Sequence, residues 1–245
     1  MKKTRKIYQL KLITHKTISD AEKAVAKIVC AQVTKNKKSI LGLATGGTFV
    51  NVYKYIVQSA NKNKINFQNI KTFNLDEYAN LDKRFISESY HSYMHNNLFK
   101  HLNINAKNTY FPPAINPTSY DKAIDKAGGI DLQLLGIGHN GHIAFNEPGS
   151  LLSSKTRKIN LTKDTIKANS RFFDNNTSNV PKQAVTMGLA TILKAKKHIL
   201  LATGEAKAAA IKKLLLNKYD PRYPCTALVY CPNVEIHIDE SIRVS

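Results

Sequence analysis

The chain has 245 residues, of which 42% are hydrophobic and 22% charged, so it can bury a sizeable core and is not a disordered segment. Its three cysteines are odd in number and lack metal-ligand spacing, which argues against a disulfide framework or a cysteine metal site. The net charge of +20 comes mainly from lysines spread along the chain, with no arginine-rich block. We therefore expect a basic surface that attracts small anions, and no nucleic-acid partner.

The start of the chain is basic, but its apolar part is interrupted by Gln9 and Lys11 and no small-residue cleavage pattern follows. No apolar run approaches the length of a membrane span. We therefore expect a cytoplasmic protein that does not bind membranes.

Apolar runs alternate with segments of helical periodicity along the chain. The runs predict strands over residues 6–13, 39–44, 70–78, 130–138, 197–204 and 234–239. Helices are expected over residues 19–36 (with Asp20 as the cap), 49–60, 88–102, 118–127 and 205–216. This alternation predicts parallel βαβ units and an α/β sheet covered on both faces, in one domain over residues 1–245. The polar span 150–179 has weak core patterning and is predicted to be a lid.

Four polar segments follow predicted strands: residues 45–48, 74–78, 136–142 and 203–207. Right-handed crossovers place all the strand-to-helix loops at one edge of a parallel sheet, and ligands bind there. We therefore expect these four segments to form one site although they are distant in sequence.

The first of these segments, Thr45-Gly46-Gly47-Thr48, opens a helix, so its backbone N–H groups can approach an anion closely. The spacing fits neither a Walker loop nor a dinucleotide fingerprint, and a plain tight turn is the alternative. A phosphate site would also need basic side chains, for which Arg171 and Lys207 are candidates.

Asp76 and Glu77 end a predicted strand, where paired acids could bind a metal, act as a base or cap the next segment. His91 and His95 have a zinc-compatible spacing but no third ligand stands out, so we favour a packing role for them.

In the segment GHNGHIAFNEP, His142 and Glu147 are close enough for the carboxylate to orient the imidazole, which can transfer protons near neutral pH. A structural histidine is the alternative at this position.

Six segments together resemble the glucosamine-6-phosphate deaminase family, and the resemblance runs over nearly the whole chain. These segments are LGLATGGT, TFNLDEY, ESYHSYMHNNLF, GIGHNGHIAFNEPGS, ANSRFF and VPKQAVTMGLATIL. The resemblance implies a Rossmann-like, doubly wound, mostly parallel sheet of NagB type. It also implies the reversible conversion of glucosamine 6-phosphate and water to fructose 6-phosphate and ammonia in amino-sugar catabolism, without a metal or a redox cofactor. It assigns Asp76 as the general base at C2 and His142 as the ring-opening group, supported by Asn140 and Glu147. The resemblance further assigns phosphate binding to the loop 45–48 with Arg171 and Lys207.

The chain departs from the family pattern at several positions. Asn140 stands where many deaminases have Asp, and Ala44 replaces a common Pro. Ile159 stands where members activated by N-acetylglucosamine 6-phosphate have Lys, and the chain ends soon after DESIRVS. We therefore predict an enzyme that N-acetylglucosamine 6-phosphate does not activate. For its oligomeric state, both a monomer and a homo-oligomer are compatible with the sequence.

Two other functions have to be weighed. 6-Phosphogluconolactonases share the fold and the GHxA region, but lactone hydrolysis does not require Glu147 there. A sugar-phosphate-sensing regulator would carry a helix-turn-helix segment before the first strand of its sugar-binding domain. In this chain the first predicted strand begins almost at once, so we expect no such segment. The combination of Asp76, His142 and Glu147 favours the deaminase.

Overall fold

The computed structural model describes residues 5–244, so part of the basic start that was considered as a leader lies outside the described residues. Within them the chain forms ten strands and seven helices. The strands are β1 Lys11–His15, β2 Ile40–Leu43, β3 Lys71–Asn74, β4 Asp76–Ala79, β5 Thr109–Tyr110, β6 Leu132–Leu135, β7 Arg157–Asn160, β8 Gln183–Thr186, β9 His198–Ala202 and β10 Val234–Asp239. The helices are α1 Ile18–Lys35, α2 Gly47–Lys62, α3 Tyr90–Asn97, α4 Ser119–Ala127, α5 Lys163–Asn169, α6 Leu189–Ile192 and α7 Ala208–Leu215.

Seven strands form a parallel sheet in the order β1-β10-β9-β6-β2-β3-β5, which confirms the predicted α/β fold. Strands β2, β6 and β9 are buried along their whole length, as expected where both faces of a parallel sheet are covered. The order makes β9, β6, β2 and β3 successive neighbours. The four polar segments that follow these strands therefore start at adjacent points on one edge.

A second, antiparallel sheet of order β4-β8-β7 is absent from the sequence prediction. The single strand predicted over residues 70–78 is wrong, because the chain leaves the large sheet after β3 and enters the small one at β4. Leu75 lies at this change: its N–H donates to the Leu43 carbonyl over 3.0 Å, and its own carbonyl accepts from Met187 N–H over 2.7 Å. Each sheet thus satisfies one backbone group of Leu75.

Residues 150–179 are better packed than their sequence pattern indicates. They contain β7, which pairs with β8, and α5, which is followed by the buried Phe173. Phe173 packs edge-on against Tyr78 and belongs to a separate hydrophobic cluster beside the small sheet. The role of this span as a lid remains a prediction.

Several predicted boundaries need correction. The first strand begins at Lys11 and not at residue 6, because pairing with β10 starts there. The cap of α1 is Thr17, whose hydroxyl accepts a hydrogen bond from Asp20 N–H over 3.1 Å, so Asp20 lies in the first turn. The helix predicted over 88–102 ends at Asn97 and is followed by a short 3-10 turn. No helix in residues 5–244 is long and apolar enough to cross a membrane.

Candidate active site

A cavity of about 190 Å³ lies where the carboxyl ends of β2, β3 and β6 meet. Its walls come from the loop 44–49, the start of β4, α3 and the loop 136–145. The residues that line it are Ala44, Thr45, Gly46, Thr48, Phe49, Leu75, Asp76, Tyr90, Gly136, Ile137, Gly138, His142, Ala144 and Phe145. The carboxylate of Asp76 and the imidazole of His142 thus belong to one cavity, although 66 positions separate them in the printed sequence.

The loop 45–48 leads into the N-terminus of the 16-residue helix α2 beside the cavity. Gly46 has a φ of 101°, a backbone conformation that favours glycine. The Tyr93 hydroxyl donates to the Gly46 carbonyl over 2.8 Å and fixes the turn. Free N–H groups and the positive end of the helix dipole make this wall of the cavity suited to an anion.

Asp76 is the first residue of β4 and only 7% of it is exposed. Burial, together with the nearby Glu77 carboxylate, raises the pKa of Asp76 from its ordinary value of 3.8 to about 8. A carboxyl with a pKa near neutrality in a cavity is typical of groups that exchange protons with a substrate.

Glu77 turns away from the cavity. Its carboxylate accepts hydrogen bonds from the N–H groups of Tyr90 and His91 at 3.0 and 2.8 Å, and so fixes the first turn of α3. Glu77 therefore caps the segment that follows, which is one of the three roles considered for the paired acids Asp76 and Glu77. The His91 ring packs against Phe111 with 5.0 Å between ring centroids. Across residues 5–244 no group of three or more His, Cys, Asp or Glu side chains could hold a metal ion.

His142, Asn140 and Glu147 form one polar cluster. The His142 Nδ1 atom lies 3.4 Å from a Glu147 carboxylate oxygen, and Asn140 donates to the other oxygen over 2.7 Å. Partial burial raises the pKa of Glu147. The nearby His142 ring, the amide of Asn140 and the charge of His139 have a larger opposite effect, so the pKa of Glu147 is lowered overall. Glu147 therefore stays ionised beside the imidazole.

Gly138 makes room for the His142 ring. A Cβ atom at Gly138 would lie 2.3 Å from the imidazole Cε1, which no packing tolerates. The same glycine donates its N–H to the His142 carbonyl over 2.9 Å. The first glycine of the GHNGH motif is therefore required by the position of the imidazole.

Arg171 and Lys207 do not line the cavity. Arg171 is exposed in the 3-10 turn after α5, with its guanidinium 4.7 Å from the centroid of the Phe172 ring. Lys207 is half-buried in the turn that follows β9, where burial lowers its pKa. Lys207 lies at the same edge of the sheet as the cavity, whereas Arg171 belongs to the span predicted as a lid.

Sequence reasoning missed three residues that support the cavity loops: Asn146, Arg157 and Thr186. Asn146 and Thr186 are fully buried, and Arg157 donates to the Asn146 side chain over 2.9 Å. Asn146 and Thr186 stood inside motifs that had been recognised. Their spacing indicates no role, because the contacts that join the two regions, Phe145 to Thr186 and Asn146 to Met187, each span 41 positions.

The fold and this cavity define a class of α/β proteins with a polar site at the carboxyl ends of parallel strands. Residues 14–236 match the family model described as glucosamine-6-phosphate isomerases/6-phosphogluconolactonase, and the chain belongs to that family.

Within the family, the chain is similar to proteins named glucosamine-6-phosphate deaminase. One from Mycoplasma mycoides subsp. mycoides is 46% identical over 95% of this chain and 96% of its own length. A solved structure of a monomeric glucosamine-6-phosphate deaminase is 36% identical and superimposes with a TM-score of 0.90, covering 95% of this chain and all of that one. The 6-phosphogluconolactonase from Trypanosoma cruzi, at 17% identity and a TM-score of 0.73 over 97% of each chain, shares the fold.

Proposed function

We propose that the chain is a glucosamine-6-phosphate deaminase, which converts glucosamine 6-phosphate and water to fructose 6-phosphate and ammonia. The observation that carries the proposal is the shared cavity, in which a buried carboxyl, Asp76, and an imidazole paired with a carboxylate, His142, face the same space. The names of the similar proteins support the same reaction.

The reaction requires two separate groups that transfer protons. The C2 proton of a pyranose becomes acidic only after the ring opens to an aldehyde, so one group must serve the ring oxygen and another must serve C2. His142, oriented by Glu147 and Asn140, opens the ring. Asp76 then takes the C2 proton and returns a proton to C1, which converts the C1 aldehyde to a hydroxymethyl group and leaves an imine at C2. Water adds to this imine, the C2–N bond breaks, and ammonia leaves as C2 becomes the ketone.

The phosphate does not react and serves to position C1 and C2. The loop 45–48 at the start of α2 binds it through backbone N–H groups and the two threonines. Lys207 supplies a positive charge from the turn after β9, which is separated from β2 by β6 in the sheet. Arg171 completes the site when the span 150–179 closes as a lid. Because β7 is fixed in the small sheet, the closing part is α5 and the turn that carries Arg171.

A 6-phosphogluconolactonase is the second candidate, since the lactonases share the fold. The pairing of Glu147 with His142 favours the deaminase, because it serves ring opening and lactone hydrolysis has no need of it. The decisive experiment incubates the purified protein with glucosamine 6-phosphate and, in parallel, with 6-phosphogluconolactone. We expect ammonia and fructose 6-phosphate in equal amounts from the first substrate and no enzymatic hydrolysis of the second. Hydrolysis of the lactone alone would reverse the assignment.

We propose an enzyme that is not activated by N-acetylglucosamine 6-phosphate. Ile159, at the position where activated members have Lys, packs against the hydrophobic cluster beside the small sheet and offers no charge to a phosphate. We expect hyperbolic saturation by glucosamine 6-phosphate. A sigmoidal curve that becomes hyperbolic when the acetylated sugar is added would contradict this. The protein acts as a monomer or a homo-oligomer in the cytoplasm, and the similar deaminase of solved structure is a monomer.

A further inference from the structure

The loop that carries the His142–Glu147 pair contains a strained turn. Ala144 lies in the left-handed region with a φ of 51°, and Asn146 N–H closes the turn by donating to the Ile143 carbonyl over 3.1 Å. A residue with a Cβ atom occupies this region only when its surroundings hold it there. The turn therefore needs a contact from outside the loop.

The small sheet supplies the first such contact. The fully buried Thr186 accepts a hydrogen bond from Phe145 N–H through its hydroxyl, over 3.1 Å. In the antiparallel register Thr186 is the direct partner of Asp76. One threonine thus pairs with the strand that begins at the general base and also holds the loop of the imidazole.

Asn146 supplies the second contact. Its buried amide donates to the carbonyls of Ile143 and Met187, at 3.0 and 2.8 Å, and its oxygen accepts from Arg157 over 2.9 Å. Met187 N–H in turn donates to the carbonyl of Leu75, the residue before Asp76. A continuous chain of hydrogen bonds therefore links the residue before Asp76 with the residue before Glu147.

We propose that Thr186 and Asn146 are positioning residues that fix the loop 142–147 against β4. They thereby keep the distance between the Asp76 carboxyl and the His142 imidazole constant. Neither side chain lines the cavity. Because the Thr186 hydroxyl bonds the loop, whereas its pairing with Asp76 is through the backbone, loss of the hydroxyl acts on the reaction through His142 and Glu147. This inference rests on the proposed deaminase function.

Thr186→Val tests the proposal, because valine keeps the shape of threonine and removes the hydroxyl acceptor. Thr186→Ser is the conservative variant that retains the acceptor. Thr72→Val is the matched control: Thr72 is equally buried, lies on the strand that leads to Asp76, and its hydroxyl has no hydrogen-bond partner among the described residues.

We expect Thr186→Val to lower kcat at least about tenfold with little change in KM, since small misplacements of reacting groups are costly. Thr186→Ser and Thr72→Val should stay within about twofold of the unchanged protein in both constants. The deuterium isotope effect measured with substrate labelled at C2 should be no larger than in the unchanged protein, because the ring-opening step is the one that slows. Unchanged kcat in Thr186→Val, loss of activity in Thr186→Ser, or a larger isotope effect each overturns the proposal.

Amide hydrogen exchange at Phe145, followed by NMR, gives a readout independent of turnover. We expect the Phe145 N–H to be protected in the unchanged protein and in Thr186→Ser, and to exchange faster in Thr186→Val while the strands of both sheets stay protected. If the unchanged protein fails to deaminate glucosamine 6-phosphate but this exchange pattern is found, the proposed function is wrong and the fixing of the loop stands. A Phe145 amide that exchanges equally in all variants removes the basis for the positioning role.

Discussion

The side-chain amide of Asn140 donates a 2.7 Å hydrogen bond to Glu147, whose other carboxylate oxygen lies 3.4 Å from the His142 ring. An amide in this place orients the carboxylate without adding a second negative charge to the cluster. Hydrogen bonds to charged groups contribute roughly 1.5–3 kcal/mol, so this single contact bears measurably on the position of Glu147.

Asn140→Ala should therefore lower kcat by about tenfold to a hundredfold, the equivalent of one charge-assisted hydrogen bond. Steady-state kinetics with glucosamine 6-phosphate measure the loss. Asn63→Ala is the control, because Asn63 makes an exposed side-chain hydrogen bond to the Ser59 carbonyl at the end of α2. Equal kinetics for both variants would show that Glu147 holds its place without Asn140.

Replacing Asp76, the proposed general base, should remove turnover and preserve binding. General bases contribute about 10²–10⁴-fold to rate, so Asp76→Asn should lower kcat by that factor. Substrate affinity, measured by calorimetry, should stay near that of the unchanged protein because the phosphate and not C2 provides the binding contacts. Near-normal turnover in Asp76→Asn would exclude the assignment of Asp76 as the base.

The same substitution should stabilise the protein at neutral pH. Because the folded pKa of Asp76 lies at about 8 and its ordinary value is 3.8, the unfolded chain loses this proton first as the pH rises. Stability from this group is thus fully present below pH 4 and is lost progressively up to about pH 8, at roughly 1.4 kcal/mol per pH unit as an upper bound. Thermal melts should show Asp76→Asn more stable than the unchanged protein at pH 7–8, and the gap should close towards pH 4. A gap that does not change with pH would show that Asp76 is ionised at its ordinary pKa.

Gly138→Ala should disable the site while leaving the fold intact. The new Cβ atom would lie 2.3 Å from the imidazole, so the His142 ring must move away from its present place. We expect a fall in kcat close to that of His142→Ala, with a circular dichroism spectrum like that of the unchanged protein. Full activity in Gly138→Ala would mean that the imidazole works from a different orientation.

Removal of the basic side chains of Lys207 and Arg171 tests the proposed phosphate site. Lys207→Gln and Arg171→Gln should each raise KM about tenfold or more, since each removes a charge-assisted contact to the substrate, and should affect kcat less. Lys212→Gln, on the neighbouring helix α7, serves as the comparison. If Arg171→Gln behaves like the unchanged protein, then the turn that carries Arg171 does not close over the substrate.

Six of the seven strands of the large sheet, all but the two-residue β5, and the edge at which the cavity lies could be predicted from sequence because they follow from local patterns. Apolar runs such as residues 130–138 indicate buried strands, and topology alone then brings residues 45–48, 76 and 142 to one edge. The small sheet could not be predicted. Strand β4 follows β3 after the single residue Leu75, with no glycine or proline between them to indicate that the chain changes sheets. Nothing near Thr186 in sequence indicates that its partner is Asp76, 110 positions earlier in the printed sequence.

Leu75 donates its N–H to Leu43 in the large sheet, and its carbonyl accepts from Met187, which directly follows β8 of the small sheet; Asp76, the proposed general base, is the next residue. The junction between the two sheets therefore lies directly beside the Asp76 carboxyl. A change in the position of either sheet is therefore transmitted to Asp76 through the backbone of a single residue. The placement of this carboxyl depends on both sheets at once, and neither sheet alone would define it.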